Sequence, residues 1–114
     1  MIVKKIHEVA KVYFDDNGIK GVSKQKLISS EDGAPNFTMR KFDVRPGGYT
    51  PYHTHDFEHE VFVLKGRGLV RGREDIEIHE GMALLVEPGE EHQFVNTGDG
   101  TLEFLCIVPN YGEK

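Results

Sequence analysis

Three of the six histidines of this chain lie within seven positions, in the stretch HTHDFEH that begins at residue 53. On an extended strand His53 and His55 lie on one face, roughly 6.5–7 Å apart along the chain, which suits two imidazoles that bind one metal ion. His59 has the same parity, whereas Glu58 and Glu60 have the opposite one. An isolated His-x-His pair is a weak signal, but three histidines of one parity indicate a metal site.

A fourth candidate ligand, His92, follows a Pro-Gly turn at the start of a later apolar segment. The two remaining histidines are expected at the surface. In the segment Asp75-Ile-Glu-Ile-His79, Ile76 and Ile78 are predicted to face the core, so His79 faces out. His7 lies in a polar N-terminal stretch. The predicted metal ligands are therefore His53, His55, His59 and His92.

The elements that must position these residues are short strands. Turn signals such as Asn17-Gly18, Pro46-Gly47-Gly48 and Pro88-Gly89 recur along the chain and separate segments rich in Val, Ile, Phe and Leu. At most one helical turn is expected, near residues 6–10. Many short strands at this spacing predict one all-β domain over residues 1–114, a sandwich or barrel. The predicted strands are Ile19–Ile28, Phe37–Val44, Glu60–Lys65, Leu69–Arg71, Ile76–His79, Met82–Val86, Gln93–Asn96 and Leu102–Val108.

Composition excludes several classes of partner. The formal charge of −5 and the lack of a basic stripe argue against nucleic acid binding. The longest apolar runs have five residues, too few to span a membrane. The single cysteine excludes an internal disulfide and suits a reducing compartment. Because no apolar signal segment follows the charged Lys4-Lys5 pair, a cytoplasmic location is expected.

Two spacings in the chain resemble the paired motifs of small single-domain cupins. The first motif covers residues 47–66 and the second covers residues 81–96. The resemblance implies the cupin double-stranded β-helix, an antiparallel β-barrel or jelly roll, with the metal held inside. In this chain the first motif reads Gly47, His53, His55, His59, Gly66, and the second reads Gly81, Gly89, His92, Asn96.

The chain departs from the cupin pattern at two positions. Pro88 directly precedes Gly89, one place later than in the family, which alters only the turn. His59 stands where the family has a Glu ligand, and Glu60 fills that place if the spacing shifts by one. His59 keeps the six-residue gap to Gly66, so the resemblance implies the four-histidine variant of the cupin site.

A four-histidine site has a chemical consequence. Four neutral imidazoles leave the charge of a divalent ion uncompensated, which favours bound anions and anionic substrates. An octahedral ion would keep two adjacent positions open for water, dioxygen or a chelating substrate. One divalent ion per chain is expected. The resemblance implies manganese or iron, while zinc, nickel and copper also accept imidazole ligands.

Other residues are candidates for the pocket beside the metal. Arg40 shares a predicted strand face with Phe42 and Val44, and a charged side chain on a core face is costly unless it is paired. It is therefore either part of a structural ion pair or an anchor for a substrate carboxylate or enolate. The expected apolar walls are Phe94, which shares the parity of His92, together with Phe104 and Cys106.

Three functions fit such a site. The resemblance favours a metal-dependent oxygenase or related oxidative enzyme (dioxygenase type) that uses dioxygen or a peroxide on a small, possibly anionic, organic substrate. An isomerase or decarboxylase that uses the ion as a Lewis acid is the second. A non-catalytic sensor of small ligands is the third. A homodimer is also expected, because the N-terminal strands would otherwise leave unprotected edges and because Phe37 and Met39 are apolar on the face opposite Arg40.

Overall fold

The computed structural model describes residues 1–113 and is built almost entirely of strands. Three short 3₁₀ helices, Ile6–Glu8, Ser30–Asp32 and Asn110–Gly112, complete the described part of the chain. The predicted all-β class is therefore confirmed. In chain order the strands are β1 Val12–Asp16, β2 Ile19–Ile28, β3 Phe37–Tyr49, β4 His59–Lys65, β5 Arg67–Gly72, β6 Ile76–His79, β7 Ala83–Val86, β8 His92–Asn96 and β9 Leu102–Pro109.

All strand pairs are antiparallel and form one curled sheet in the order β6-β5-β8-β3-β9-β4-β7, with β2 and then β1 added alongside β3. The sheet curls because the turn between β6 and β7, the strands at its two ends, forms hydrogen bonds back to β4 and the residue after it. There Gly81 N donates to Val63 O at 2.9 Å, and Glu80 N donates to Gly66 O at 3.1 Å. The curled sheet encloses one face of β3, β4, β8 and β9.

The core forms from one set of alternating side chains. Along β9 the buried residues are Leu102, Phe104, Cys106 and Val108, and the residues between them are partly exposed. The same alternation on β3 buries Thr38, Arg40 and Val44. Since a fully buried Val, Leu or Phe contributes about 1.5–3 kcal/mol, this single inner face accounts for most of the hydrophobic stabilisation.

Three expectations about the strands were wrong or incomplete. Ile76 was expected to face the core with Ile78, but it is 48% exposed, because β6 lies at the end of the sheet. Strand β1 was not predicted, although the Asn17-Gly18 turn links it to β2 in a hairpin, with Gly18 at φ 83°. The Pro46-Gly47-Gly48 segment was taken as a turn, yet β3 continues through it.

The Pro-Gly-Gly segment is a bulge rather than a turn. The pairing of β2 with β3 shifts register between Lys20 and Val22, opposite this segment. Gly47 takes a φ of 79°, which favours glycine, and a Cβ on Gly48 would lie 2.6 Å from the backbone oxygen of Lys20. The bulge lets β3 bend, so that its end reaches β8 where Tyr49 pairs with Val95.

Candidate metal centre and cavity

Four histidines reach the inside of the curled sheet from three places in the chain. His59 begins β4 and His92 begins β8, and both are buried. His53 and His55 lie on the segment between β3 and β4. His53 and His92 form a backbone bridge, with His53 N donating to His92 O at 3.1 Å and His92 N donating to His53 O at 3.0 Å. This bridge places the first motif directly against the second.

His53, His55 and His92 form a set that could hold a metal ion. Ligand nitrogens from these three residues all lie within 4.8 Å of one another. The ring centroids are 5.2 Å apart for His53 and His55, and 4.9 Å apart for His53 and His92. His59 lies outside this set, although its Nε2 contacts Nε2 of His55 and its ring centroid is 5.0 Å from that of His92.

The hydrogen bonds around the rings select the tautomer that a metal needs. His92 Nδ1 lies 2.8 Å from the backbone oxygen of Glu90, and His55 Nδ1 lies 3.0 Å from the backbone oxygen of Phe57. Since a carbonyl only accepts, each Nδ1 carries the proton and each Nε2 keeps its lone pair. His92 Nε2 is buried and has no hydrogen-bond partner. An orphaned lone pair beside two other imidazoles fits a divalent ion.

Desolvation disfavours the charged form of three of these imidazoles, those of His53, His59 and His92, and a metal ligand must be neutral. Desolvation, with smaller effects of neighbouring histidines and Arg40, lowers the pKa of His53 to about 4 and that of His59 to about 2. Desolvation also lowers the pKa of His92, against the opposing effect of its bond to Glu90. Neutral rings at His53, His59 and His92 offer lone pairs without competing protons.

His59 and Glu60 point to opposite sides of β4. His59 is 7% exposed and lines the cavity, whereas Glu60 lies on the outer face beside Phe62 and Leu85. The structure therefore places Glu60 away from the histidine cluster. His59 Nδ1 lies 3.1 Å from Cys106 Sγ, which leaves its Nε2 directed at His55. Whether His59 completes a four-histidine set remains a prediction.

The histidines open into a cavity of about 140 Å³. The predicted wall residues Phe94, Phe104 and Cys106 line it, and Phe94 stacks on Phe104 with ring centroids 4.7 Å apart. Sequence reasoning missed several other lining residues. Phe57 stacks on His55, but it lies outside any strand, so no alternation pattern could place it. The missed residues are Ile19, Phe42, Thr50, Pro51, Phe57 and Gly112.

The structure shows Arg40 in an ion pair, and it also places Arg40 where a substrate anchor would have to lie. Its side chain is 10% exposed and lines the cavity beside the histidines. Its Nη1 lies 3.4 Å from Glu113 Oε1, and its Nη2 lies 2.9 Å from Cys106 Sγ. Burial raises the pKa of the Cys106 thiol, despite the opposing influence of Arg40, so the sulfur stays protonated. Arg40 is thus both in an ion pair and on the cavity wall.

The curled antiparallel sheet, with histidines from two facing strands directed into an apolar cavity, defines a β-barrel protein with an internal candidate metal site. The Cupin_2 family model, described as a cupin domain, matches residues 40–108, more than half of the chain. The chain belongs to the cupin family. The family resemblance read from the two motifs is therefore confirmed.

Known proteins of several activities are similar to this chain. The 1-methylthio-D-xylulose 5-phosphate methylsulfurylase of Rhodospirillum rubrum is 37% identical over 90 residues, which cover 78% of this chain and 56% of that protein. The oxalate-binding protein of Thermotoga maritima is 34% identical over 95 residues, 80% of this chain and 78% of that protein. The chain thus spans only about half of the methylsulfurylase.

Solved structures agree with the fold assignment. The polyketide cyclase RemF from Streptomyces resistomycificus superposes with a TM-score of 0.89 at 33% identity, over 96% of this chain and 79% of that chain. A cupin-2 domain protein from Rhodospirillum rubrum superposes with a TM-score of 0.84 at 27% identity. No helix among residues 1–113 is long and apolar enough to cross a membrane.

Proposed function

We propose that this cupin is a mononuclear metal enzyme, an oxygenase or related oxidative enzyme that acts on a small organic anion. The observation that carries the proposal is that three imidazoles and a buried guanidinium line one apolar cavity. His53, His55 and His92 would hold the ion, with His59 as the fourth ligand. Manganese or iron is the expected metal. Such an ion would supply Lewis acidity and electrons for dioxygen or peroxide chemistry.

The protein residues would bind and orient the substrate. The Arg40 guanidinium would donate hydrogen bonds to a substrate carboxylate or enolate, since its fork geometry matches planar oxyanions. The rings of Phe42, Phe94 and Phe104 would hold the carbon skeleton and exclude water. Because drug-sized ligands need pockets of about 300–1,000 Å³, a cavity of about 140 Å³ favours a substrate of few heavy atoms.

The cavity wall favours oxidative chemistry over proton transfer. Among the described residues that line it, none is Asp, Glu, Lys or Tyr. The histidines are committed by the proposal to the metal, so an isomerase or decarboxylase would lack an evident general acid or base. We therefore rank the Lewis-acid reaction, isomerisation or decarboxylation, second among the candidate enzyme activities.

Metal analysis and oxygen uptake together test the proposal. Native protein should purify with about one manganese or iron per chain. An oxygen-electrode screen over small acids, diketones and phenols should find at least one substrate whose uptake of oxygen stops on chelation. Substrate turnover without oxygen or peroxide consumption would instead establish the Lewis-acid reading.

A second candidate function is non-catalytic binding of a small carboxylic acid. The observation in its favour is a buried arginine on the wall of a cavity of about 140 Å³. The similar protein from Thermotoga maritima is named for oxalate binding. Saturable binding of a dicarboxylate by the metal-loaded protein, with no turnover of any acid tested, would favour this function.

Removal of the Arg40 charge should act on substrate binding. Arg40→Met should keep the metal content and raise KM by at least about tenfold, because a charge-assisted bond to substrate contributes about 1.5–3 kcal/mol. Steady-state kinetics and metal analysis measure the two effects. Lys41→Met is a matched control, since Lys41 is equally buried but pairs with Asp43 and Glu103 on the opposite face of β3. Equal kinetic effects in both variants would show that Arg40 serves only in a structural ion pair.

We also propose that two copies of the chain pair through the outer face of the sheet. Phe37 is 63% exposed, Leu85 59% and Phe62 44%, on strands that include the edge strand β7. Covering this face would bury apolar surface and protect the edge. Light scattering at micromolar concentration should give the mass of a dimer, and Phe62→Asp should give a monomer. Tyr13→Asp, on β1, should leave the dimer intact. A wild-type monomer would refute the pairing.

A further inference from the structure

The carboxylate of Glu113 lies buried between two cations, of which Arg40 lines the cavity. Its side chain is 9% exposed, and its Oε2 lies 2.7 Å from Lys24 Nζ. Its Oε1 lies 3.4 Å from Arg40 Nη1. Lys24 is on β2 and Arg40 is on β3, and their side chains are 13% and 10% exposed. Two cations on neighbouring strands thus face one carboxylate that comes from the far end of the described chain.

The segment that carries Glu113 runs along the cavity wall, where Gly112 is a lining residue. Asn110 is firmly anchored, because its Nδ2 donates to Ala34 O at 2.8 Å and its Oδ1 accepts from Thr38 Oγ1 at 2.7 Å. Beyond Asn110 the segment rests on the aromatic ring of Phe57. Tyr111 packs edge-on against that ring at 5.5 Å, and Gly112 lines the cavity itself. Asn110 is therefore a fixed base about which residues 111–113 could move.

The pair between Arg40 and Glu113 leaves the guanidinium incompletely satisfied. The 3.4 Å distance is long for a charge-assisted hydrogen bond, which is usually 2.7–2.9 Å. Among residues 1–113, Arg40 Nε is buried without a hydrogen-bond partner, and Nη2 donates to the sulfur of Cys106. Since arginine binds carboxylates best through two parallel bonds, a free carboxylate could satisfy Arg40 better than Glu113 does.

We propose that Lys24 and Arg40 form a carboxylate-binding site, that Glu113 is its built-in occupant, and that a small organic acid binds by displacing Glu113. Exchange of one carboxylate for another keeps both cations paired, so it avoids the large cost of leaving a buried charge unpaired. The displaced segment would open the cavity as the acid enters. This inference rests on the proposed function in one respect, the role of Arg40 as the anchor of an anionic ligand.

The site would place the acid next to the histidines. Arg40 Nη2 and His59 Nδ1 both contact one atom, at 2.9 and 3.1 Å from Cys106 Sγ. A dicarboxylate or an oxo acid held at one end by Arg40 therefore has its other oxygens directed towards the histidine cluster. The expected ligand class is a short acid with a second oxygen donor one or two carbons from its carboxylate.

Glu113→Gln tests this occupancy, because it keeps the shape of the side chain and removes the competing charge. In calorimetric titrations of metal-loaded protein, oxalate should bind about tenfold more tightly to Glu113→Gln than to wild type. The reason is that only the fraction of wild-type molecules in which Glu113 has left the site can bind the acid, which lowers the apparent affinity in proportion. Glu31→Gln, which removes the carboxylate of an exposed pair with Lys26, is the matched control and should bind as wild type does. Iodoacetamide should also label Cys106, the single cysteine, faster in Glu113→Gln.

Gly112→Ala provides an independent test that keeps the charge. An added Cβ would lie 2.6 Å from the Phe57 ring, so the segment should shift away from the cavity, and oxalate should again bind more tightly than in wild type. Unchanged or weaker binding in both variants would show that Glu113 is a structural clasp and would overturn the inference. Because binding is measured without turnover, this result does not depend on whether the oxygen-uptake screen succeeds.

Discussion

His92→Ala should purify almost without metal. His92 Nε2 is a buried nitrogen without a hydrogen-bond partner among residues 1–113, and its ring lies about 5 Å from those of three other histidines. Loss of residues that only support metal ligands commonly costs 10–100-fold in metal affinity, so loss of a ligand should cost at least about 100-fold. Elemental analysis should therefore find less than about a tenth of the wild-type metal.

His79→Ala is the control for this variant. His79 is exposed at the end of β6, and its Nδ1 lies 3.0 Å from the backbone oxygen of Glu80, away from the cavity. It should keep the full metal content. Both variants should give the circular dichroism of the wild type, because the backbone bridge between His53 and His92 does not need the imidazole. Full metal retention by folded His92→Ala would exclude the proposed centre.

The candidate site could be read from the sequence wherever a strand has a strict alternation. Parity counted from His53 and His55 put His59 inside and Glu60 outside, as the structure has them, although residues 53–58 do not form the continuous strand that this count assumed. The parity of β3 put Arg40 on the inner face, also as the structure has it. Alternation of inner and outer side chains is a local property of extended backbone, so it needs no knowledge of the rest of the fold. The same logic placed Phe104 and Cys106 on the cavity wall.

The sequence could not reveal what depends on distant parts of the chain. The partner of Arg40 is Glu113, separated by 73 residues, and no spacing rule relates the two. Ile76 fits the alternation of a core strand, but it is exposed because its strand lies at the end of the sheet. A Pro-Gly-Gly segment is equally compatible with a turn and with a bulge, and only the pairing of β3 with β2 decides between them.

The role of His59 is best measured against that of its neighbour. His59→Ala should purify with sharply reduced metal, whereas Glu60→Ala should retain close to the full complement. The expectation for His59 rests on its contact with His55 and on Cys106 Sγ beside its Nδ1, which together direct Nε2 towards the other histidines. Glu60 lies on the outer face of the same strand, so its carboxylate cannot reach the cavity without a register change in β4.

The comparison of His59→Ala with Glu60→Ala also decides the net charge of the metal centre. If His59 binds the ion, all its ligands are neutral and the centre keeps a net positive charge, which together with Arg40 would attract an anionic substrate. If both variants retain metal, the centre is the three-histidine set of His53, His55 and His92, and His59 serves instead to position His55. Loss of metal only in Glu60→Ala would require a carboxylate ligand, and the case for an anionic substrate would then rest on Arg40 alone.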